Sequence, residues 1–136
     1  MILNSIIKEE LDKLTNSPFA VFVLSKTKNN LIAATTRAKD TGESGKIGLP
    51  GGKVDPNEDP KDAAKREAYE EGWDIEIGEL IHTYIVDGKT IWWYKGYNPQ
   101  KLTQYKEMHR IKPIEVSVDE ISKSGYGNWF ISADII

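Results

Sequence analysis

Residues 49–75, which read LPGGKVDPNEDPKDAAKREAYEEGWDI, carry the strongest local signals in the chain. Within them, Asp59 suits a helix N-cap and Pro60 suits the first helical position, where no amide hydrogen is needed. Gly72 suits the residue just past a helix, where the backbone turns left-handed. The stretch therefore predicts a helix from about Pro60 to Glu71.

Three carboxylates lie on one face of this predicted helix, because Glu67, Glu70 and Glu71 stand at i, i+3 and i+4. Like charges at this spacing cost roughly 0.2–0.5 kcal/mol per pair in an isolated helix, and Arg66 offsets only part of that. A solvated acidic face is common and would explain the cluster taken alone. A bound divalent cation explains it better in context, and oxygen ligands favour Mg²⁺, or Mn²⁺ as the alternative, over zinc.

Two features precede the helix. Gly51 and Gly52 let the backbone turn tightly and bring a carbonyl or an amide close to a ligand. Arg37 ends a predicted strand just before a polar, glycine-rich loop at residues 38–48. A contact from Arg37 to a substrate phosphate and a surface ion pair are equally good interpretations of that position.

The spacing of these residues resembles the signature of the Nudix hydrolase family, G-x5-E-x7-R-E-U-x-E-E-x-G-U, where U is a bulky aliphatic residue. Six positions match: Gly52, Glu58, Arg66, Glu67, Glu70 and Glu71. The flanking strand pattern extends the resemblance over residues 17–121. Ala68 stands where the family has a larger aliphatic residue, Trp73 where it has the final glycine and Asp74 where it has an aliphatic. We interpret this as a one-residue deletion, with Gly72 capping the helix and Trp73 packing beneath it.

The resemblance implies a role for each matched residue. Glu67, Glu70 and Glu71 would bind the divalent metal together with the carbonyl of Gly51, and Glu67 or a later glutamate would deprotonate the attacking water. Arg66 would orient the carboxylates. Glu58, paired with Arg66, and Gly52 would support the site. The family usually adds one more glutamate from a loop after the central strands; Glu107 is the first candidate, and Glu115 and Glu120 are the others.

The activity implied is a Mg²⁺-dependent pyrophosphohydrolase, which cleaves a phosphoanhydride bond in a nucleoside diphosphate linked to another group. Phosphoryl transfer needs positioning and charge neutralisation, which metal ions and carboxylates supply. One alternative is a non-catalytic Nudix domain that acts as a nucleotide sensor or interaction module, although such domains usually lose the carboxylates. Another is an unrelated domain with an accidental match, which predicts no metal binding.

The rest of the chain predicts an α+β fold, an α/β/α sandwich with a mixed sheet packed between helices. Residues 3–14 form an amphipathic stripe that suits an N-terminal helix, and residues 1–14 are taken as an extension of the domain. Strands are expected at 19–25 and 31–36, joined as a hairpin; at 75–87 and 90–97, joined by Asp87-Gly88; and at 111–118. Trp92 and Tyr94 would share one face of their strand, and Trp93 the other.

Composition restricts the function further. The 136 residues fit one domain, 1–136, and the absence of cysteine excludes disulfides, thiolate zinc sites and a cysteine nucleophile. The net charge of −3 offers no basic field for an obligate nucleic acid partner. The small nucleotide-type substrate is what the resemblance to the Nudix family implies. Lysine and glutamate interrupt the apolar N-terminus and no run is long enough to span a membrane, so we expect a cytoplasmic protein. The N-terminal stripe also suits a homodimer contact.

Overall fold

The strands form two sheets within residues 17–37 and 46–126, the parts of the chain that the computed structural model describes. A four-stranded mixed sheet has the order β4-β1-β6-β5, and a three-stranded antiparallel sheet has the order β3-β2-β7. In the mixed sheet β1 is parallel to β6. The strands are β1 Ala20–Ser25, β2 Ile32–Arg37, β3 Ile47–Gly48, β4 Gly51–Lys53, β5 Trp73–Val86, β6 Lys89–Lys101 and β7 Ile111–Val116.

Helix α1 spans Pro60–Glu70, one residue shorter than predicted. The side chain of Asp59 accepts a hydrogen bond of 2.8 Å from the amide of Lys61, which satisfies one of the unpaired donors of the first turn. Glu71 is the C-cap, and Gly72 follows with a φ of 101°. The predicted start and the glycine at the end of the helix are therefore confirmed.

A second helix, α2, spans Val118–Ile121 and continues into a π-helical turn, Ser122–Tyr126. A capping box starts it, in which Ser117 and Glu120 bond to each other's backbone amides. The side chain of Glu120 is therefore engaged in capping the start of α2.

The mixed sheet is covered on both faces. On one face, α1 packs through alanine methyl groups, and Ala64 lies in a buried cluster with Val21 and Tyr94. On the other face, Leu24 and Trp93 of the mixed sheet pack with residues of the antiparallel sheet and with Ile121 of α2. The predicted α+β class, with a mixed sheet between helices, is confirmed.

The aromatic run on β6 alternates as predicted, because Trp92 and Tyr94 pack in one cluster and Trp93 in the other. The turn at Asp87-Gly88 is also present, with φ values of 51° and 75° that produce the tight reversal of a two-residue hairpin.

The predicted hairpin of 19–25 with 31–36 is wrong. β1 pairs with β4 on one side and β6 on the other, and β2 pairs with β3 and β7 in the second sheet. Only a single bridge, Lys26 to Ile32, joins the two segments. Both edges of each strand are taken by partners distant in the sequence, so the turn between β1 and β2 carries the chain from one sheet to the other.

Trp73 begins β5 and is 2% exposed, and its indole Nε1 donates a hydrogen bond of 2.7 Å to the carbonyl of Ala34. It packs in the cluster beneath α1, as the deletion hypothesis requires. The predicted helix at 3–14 and most of the loop at 38–48 lie outside the described residues. No helix in the described ranges is long and apolar enough to cross a membrane.

Candidate active site

Arg66 is the centre of the polar network on α1. Its Nε and NH2 donate to the two carboxylate oxygens of Glu58 at 2.8 and 2.9 Å, and NH2 also donates to the carbonyl of Lys53 at 3.1 Å. Its NH1 donates to Glu67 at 2.9 Å and to Glu70 at 3.4 Å. One guanidinium therefore links the loop before the helix to two of the helix carboxylates.

Glu58 and Glu67 both contact Arg66, but their pKa values shift in opposite directions. The hydrogen bonds from Arg66 lower the pKa of Glu58, and the same bonds raise the pKa of Arg66 itself. Burial raises the pKa of Glu67 more than its contact with Arg66 lowers it. Glu58 is therefore a fixed anion, whereas Glu67 has greater proton affinity.

The glycine turn and the helix carboxylates lie against each other. A Cβ atom placed on Gly52 would overlap the carboxylate of Glu67, and one placed on Gly51 would overlap the carbonyl of Val21 and approach the Cα of Phe22 at 2.8 Å. A side chain at Gly51 would therefore meet the backbone of β1, and one at Gly52 would have to displace the carboxylate of Glu67. The turn is confined between β1 on one side and Glu67 on the other.

Glu71 is buried, with 6% of its surface exposed, and its Oε1 accepts a hydrogen bond of 2.8 Å from the amide of Gly51. Burial raises its pKa to about 8, and the amide of Gly51 opposes that shift. The charges of Glu67 and Glu107 raise the pKa further, while Arg37 lowers it. A buried carboxylate with two carboxylate neighbours is a strained electrostatic arrangement that added positive charge would relieve.

A cleft of about 170 Å³ opens beside Glu71. Arg37 and Lys46 line it together with Glu71 and Gly51, and Phe22 lies on its apolar side. Arg37 comes from the end of β2, so the second sheet contributes a cation to a site whose carboxylates belong to α1. The sequence singled out Arg37 but gave no signal for Phe22, because a strand phenylalanine most often belongs to the core.

The three later glutamates are far apart in the structure. Glu107 lies near the end of α1, where its amide donates to the carbonyl of Glu70 at 2.9 Å and its charge acts on Glu71. Glu115 instead accepts from Asn29 on the turn between β1 and β2, and Glu120 belongs to the capping box of α2. Glu107 is thus the one of the three that lies at the helix carboxylates.

The segment after β6 holds this part of the site in place. Lys106 reaches Glu70 at 3.4 Å, and Arg110 reaches Glu107 at 3.5 Å. Leu102 donates its amide to the carbonyl of Gly72 at 2.8 Å. These contacts were not predicted, because the polar stretch from 98 to 110 has no periodic pattern that would place it against α1.

The donor set fits a hard divalent cation. The candidates are carboxylate oxygens and a backbone carbonyl, without histidine or cysteine, which is the ligand chemistry of Mg²⁺ and Mn²⁺. In the part of the chain described, no group of three or more histidine, cysteine, aspartate or glutamate side chains is arranged to hold a metal ion. Glu67 and Glu70 are turned towards Arg66 instead, and Glu71 towards Gly51.

Comparison with known families identifies the arrangement. The family model for the NUDIX domain matches residues 15–122. The chain belongs to the NUDIX domain family. The matched region includes the glycine turn, helix α1 and Glu107, so the resemblance predicted from residues 52–71 is confirmed at the level of the whole domain.

Solved structures of the Nudix fold are similar over most of the chain. A NUDIX hydrolase from Nitrosomonas europaea has a TM-score of 0.61 at 18% identity, covering 79% of this chain and 76% of that one. A MutT protein from Methanosarcina mazei Go1 has a TM-score of 0.53 at 23% identity, covering 78% and 80%. A NUDIX family hydrolase from Clostridium perfringens has a TM-score of 0.53 at 19% identity, covering 76% and 82%. These likenesses establish the fold. Comparison with curated proteins finds no match.

Proposed function

We propose that this Nudix domain is a Mg²⁺-dependent pyrophosphohydrolase that cleaves a phosphoanhydride bond in a nucleoside diphosphate linked to another group. The observation that carries the proposal is the position of Glu71, a buried carboxylate in the same cleft as Arg37. A carboxylate that could bind a metal ion and an arginine that could bind a phosphate therefore lie in one cleft. Cleavage of an anhydride between phosphates needs both.

The metal would be held by Glu67, Glu70, Glu71 and the carbonyl of Gly51, with Glu107 as the further ligand. When bound, Mg²⁺ or Mn²⁺ would supply charge neutralisation for phosphate oxygens and lower the pKa of a water molecule. Support comes from the raised pKa of Glu71, because a carboxylate destabilised by burial and like charges gains most from a cation. The position of Glu107 beside the helix end supports it over Glu115 and Glu120.

Arg66 would act as the positioning residue of the site. Its guanidinium is fixed by both oxygens of Glu58, so the NH1 that contacts Glu67 and Glu70 has a defined place. In the proposed reaction a water oxygen forms a bond to phosphorus, the bridging P–O bond breaks, and a carboxylate accepts the water proton. Glu67 and Glu107 are the candidates for that base; Glu67 has a raised pKa, which improves it as a proton acceptor.

Arg37 would bind a phosphate of the substrate, and Lys46 is placed in the same cleft to assist. The cleft volume of about 170 Å³ matches a phosphate group rather than a whole nucleotide, so the nucleoside would extend beyond the described walls. The substrate is therefore proposed only as a nucleotide-type pyrophosphate. The cytoplasmic location, the homodimer and the single-domain extent of 1–136 stay predictions.

The test is a hydrolysis assay on nucleoside triphosphates, ADP-ribose and diadenosine polyphosphates, with Mg²⁺ and again with EDTA. Glu71→Gln keeps the shape of the side chain and removes its charge, and we expect it to lower kcat by at least roughly 100-fold. Glu76→Gln on the exposed part of β5 is the matched control and should retain full activity. Turnover that EDTA leaves intact would contradict the proposal. Nucleotide binding without turnover of any compound would favour the sensor alternative.

A further inference from the structure

A second cavity, of about 440 Å³, lies away from the candidate active site. Its walls are the turn between β1 and β2, residues 26–29, and the end of β6, residues 98–101. It shares no lining residue with the cleft of Arg37 and Glu71. The turn and Arg37 are at opposite ends of β2, which at roughly 3.3 Å per residue places them about 17 Å apart. Its volume is within the range typical of small-molecule sites.

The lining of this cavity is positively charged. Lys26, Lys28 and Lys101 face one carboxylate, Glu115, in a chain whose overall charge is negative. That carboxylate is already engaged, because Asn29 donates to it at 3.2 Å and a hydrogen bond from Thr27 is the main cause of its lowered pKa. Lys101 approaches it only to 3.9 Å. The three lysines therefore exceed the single carboxylate by two positive charges in the wall of this cavity.

The walls are built before any ligand arrives. The hydroxyl of Thr27 accepts hydrogen bonds from the amides of Asn29 and Leu31 at 3.2 and 3.3 Å, and its own amide donates to the carbonyl of Leu31 at 2.8 Å. Asn98, on the opposite wall, has a φ of 51°, which bends β6 where it borders the cavity. A preformed site binds with a smaller loss of conformational freedom.

The cavity also has an aromatic component. Trp73 lines it, and the Nζ of Lys101 lies 6.0 Å from the centre of the indole ring. The hydrogen bond from the indole to Ala34 fixes the ring. The volume exceeds what a single phosphate needs, so an organic group attached to the anion would have room against Pro99 and the small exposed part of Trp73.

We propose that this cavity binds a small organic phosphate, at a site separate from the hydrolytic cleft. Lysine ammonium groups bind phosphate as point charges, and the side-chain amides of Asn98 and Gln100 supply further donors. The occupant is an ester with one phosphate group and a compact organic part. Binding does not depend on Mg²⁺, because the lining carries no cluster of carboxylates.

Phenyl phosphate is the probe, titrated at low ionic strength into the full chain in EDTA and followed by amide and indole NMR shifts. Phenol and inorganic phosphate are titrated separately, to divide the contribution of the ring from that of the charge. The test variant is Lys28→Ala with Lys101→Ala, and the control is Lys89→Ala with Lys123→Ala, which removes the same charge from exposed positions elsewhere.

We expect saturable shifts at residues 26–29, at 98–101 and at the indole of Trp73, with a Kd at least tenfold weaker in the test variant. The control variant should bind as the wild type does, and hydrolysis should be unchanged in both. Shifts confined to Arg37 and its neighbours, equal weakening in the two variants, or the absence of saturation with phenyl phosphate would each overturn the proposal. Hydrolysis is measured independently, so failure here leaves the proposed activity untouched.

Discussion

The backbone amide of Gly51 donates a hydrogen bond of 2.8 Å to Oε1 of Glu71, twenty residues later in the chain. This bond connects the glycine turn to the end of α1 inside the protein, where Glu71 is almost fully buried. A buried carboxylate whose cost of burial exceeds what the Gly51 amide offsets holds its proton more tightly. The metal-free protein should therefore respond to pH through this residue.

The first prediction is a pH-dependent effect of Glu71→Gln on stability. The pKa of Glu71 is about 8 in the folded protein, against an ordinary value of 4.5. The stability that Glu71 contributes to the folded state is therefore fully present below pH 4.5 and is lost as the pH rises through 8. Glutamine stays neutral throughout. In EDTA, the Tm of the variant should exceed that of the wild type at pH 9 and match it near pH 4. A difference in Tm that does not grow with pH would contradict this account.

The second prediction concerns Arg66. Replacing it with lysine keeps a positive charge but loses the fork that binds both oxygens of Glu58. We expect a loss of about 1–3 kcal/mol in the free energy of unfolding, measured by urea denaturation, because Glu58, Glu67 and Glu70 lose their shared partner. Lys65→Ala is the neighbouring control; its ion pair with Asp74 is about half exposed and should contribute less than about 1 kcal/mol. Equal losses would show that Arg66 is not the centre of the network.

The third prediction separates the two glycines of the turn. Gly52→Ala places a methyl group on the carboxylate of Glu67, which is a flexible side chain, so the fold should persist while kcat falls roughly 10- to 100-fold. Gly51→Ala meets backbone atoms of β1 and should lower the Tm as well. Gly88→Ala has free space around it, but its φ of 75° imposes a cost of about 1 kcal/mol. Its activity should remain that of the wild type.

The fourth prediction distinguishes the late glutamates. Glu107→Gln should weaken Mg²⁺ or Mn²⁺ binding by about tenfold or more, since it removes a charge that acts directly on Glu71. Glu115→Gln and Glu120→Gln should leave metal affinity unchanged, because one lies on the turn between the sheets and the other caps α2. Calorimetric titration of each variant with Mn²⁺ measures this. A loss at Glu115 or Glu120 equal to that at Glu107 would contradict the assignment.

The helix and its carboxylates were predictable because their signals are local. An N-cap, a proline at the first position, a glycine past the end and charges at i, i+3 and i+4 are all set within one stretch of chain. The same holds for the two-residue turn at Asp87-Gly88 and for the alternation along Trp92, Trp93 and Tyr94. In each case residues near in sequence decide the geometry.

The strand partners were not predictable, and the hairpin of β1 with β2 is the clearest case. A short polar turn between two apolar runs favours a hairpin locally, but β6, whose paired residues lie 71 positions later, pairs with β1 along its whole length. The sequence could rank Glu107 first among the late glutamates but could not decide among them, for the same reason. The choice depends on a hydrogen bond between Glu107 and Glu70, and no pattern within residues 98–110 indicates that contact.

The alanine contacts of α1 have a practical consequence. Ala63, Ala64 and Ala68 are fully buried, so methyl groups alone set the separation between the helix and the sheet. The opposite face of the helix contributes nothing to that separation, and Tyr69 on it is 50% exposed. Since the chain has no cysteine, Tyr69→Cys would offer one attachment point for a fluorescent dye, two residues from Glu71. A reporter placed there would sense events at the carboxylates without disturbing the packing that positions them.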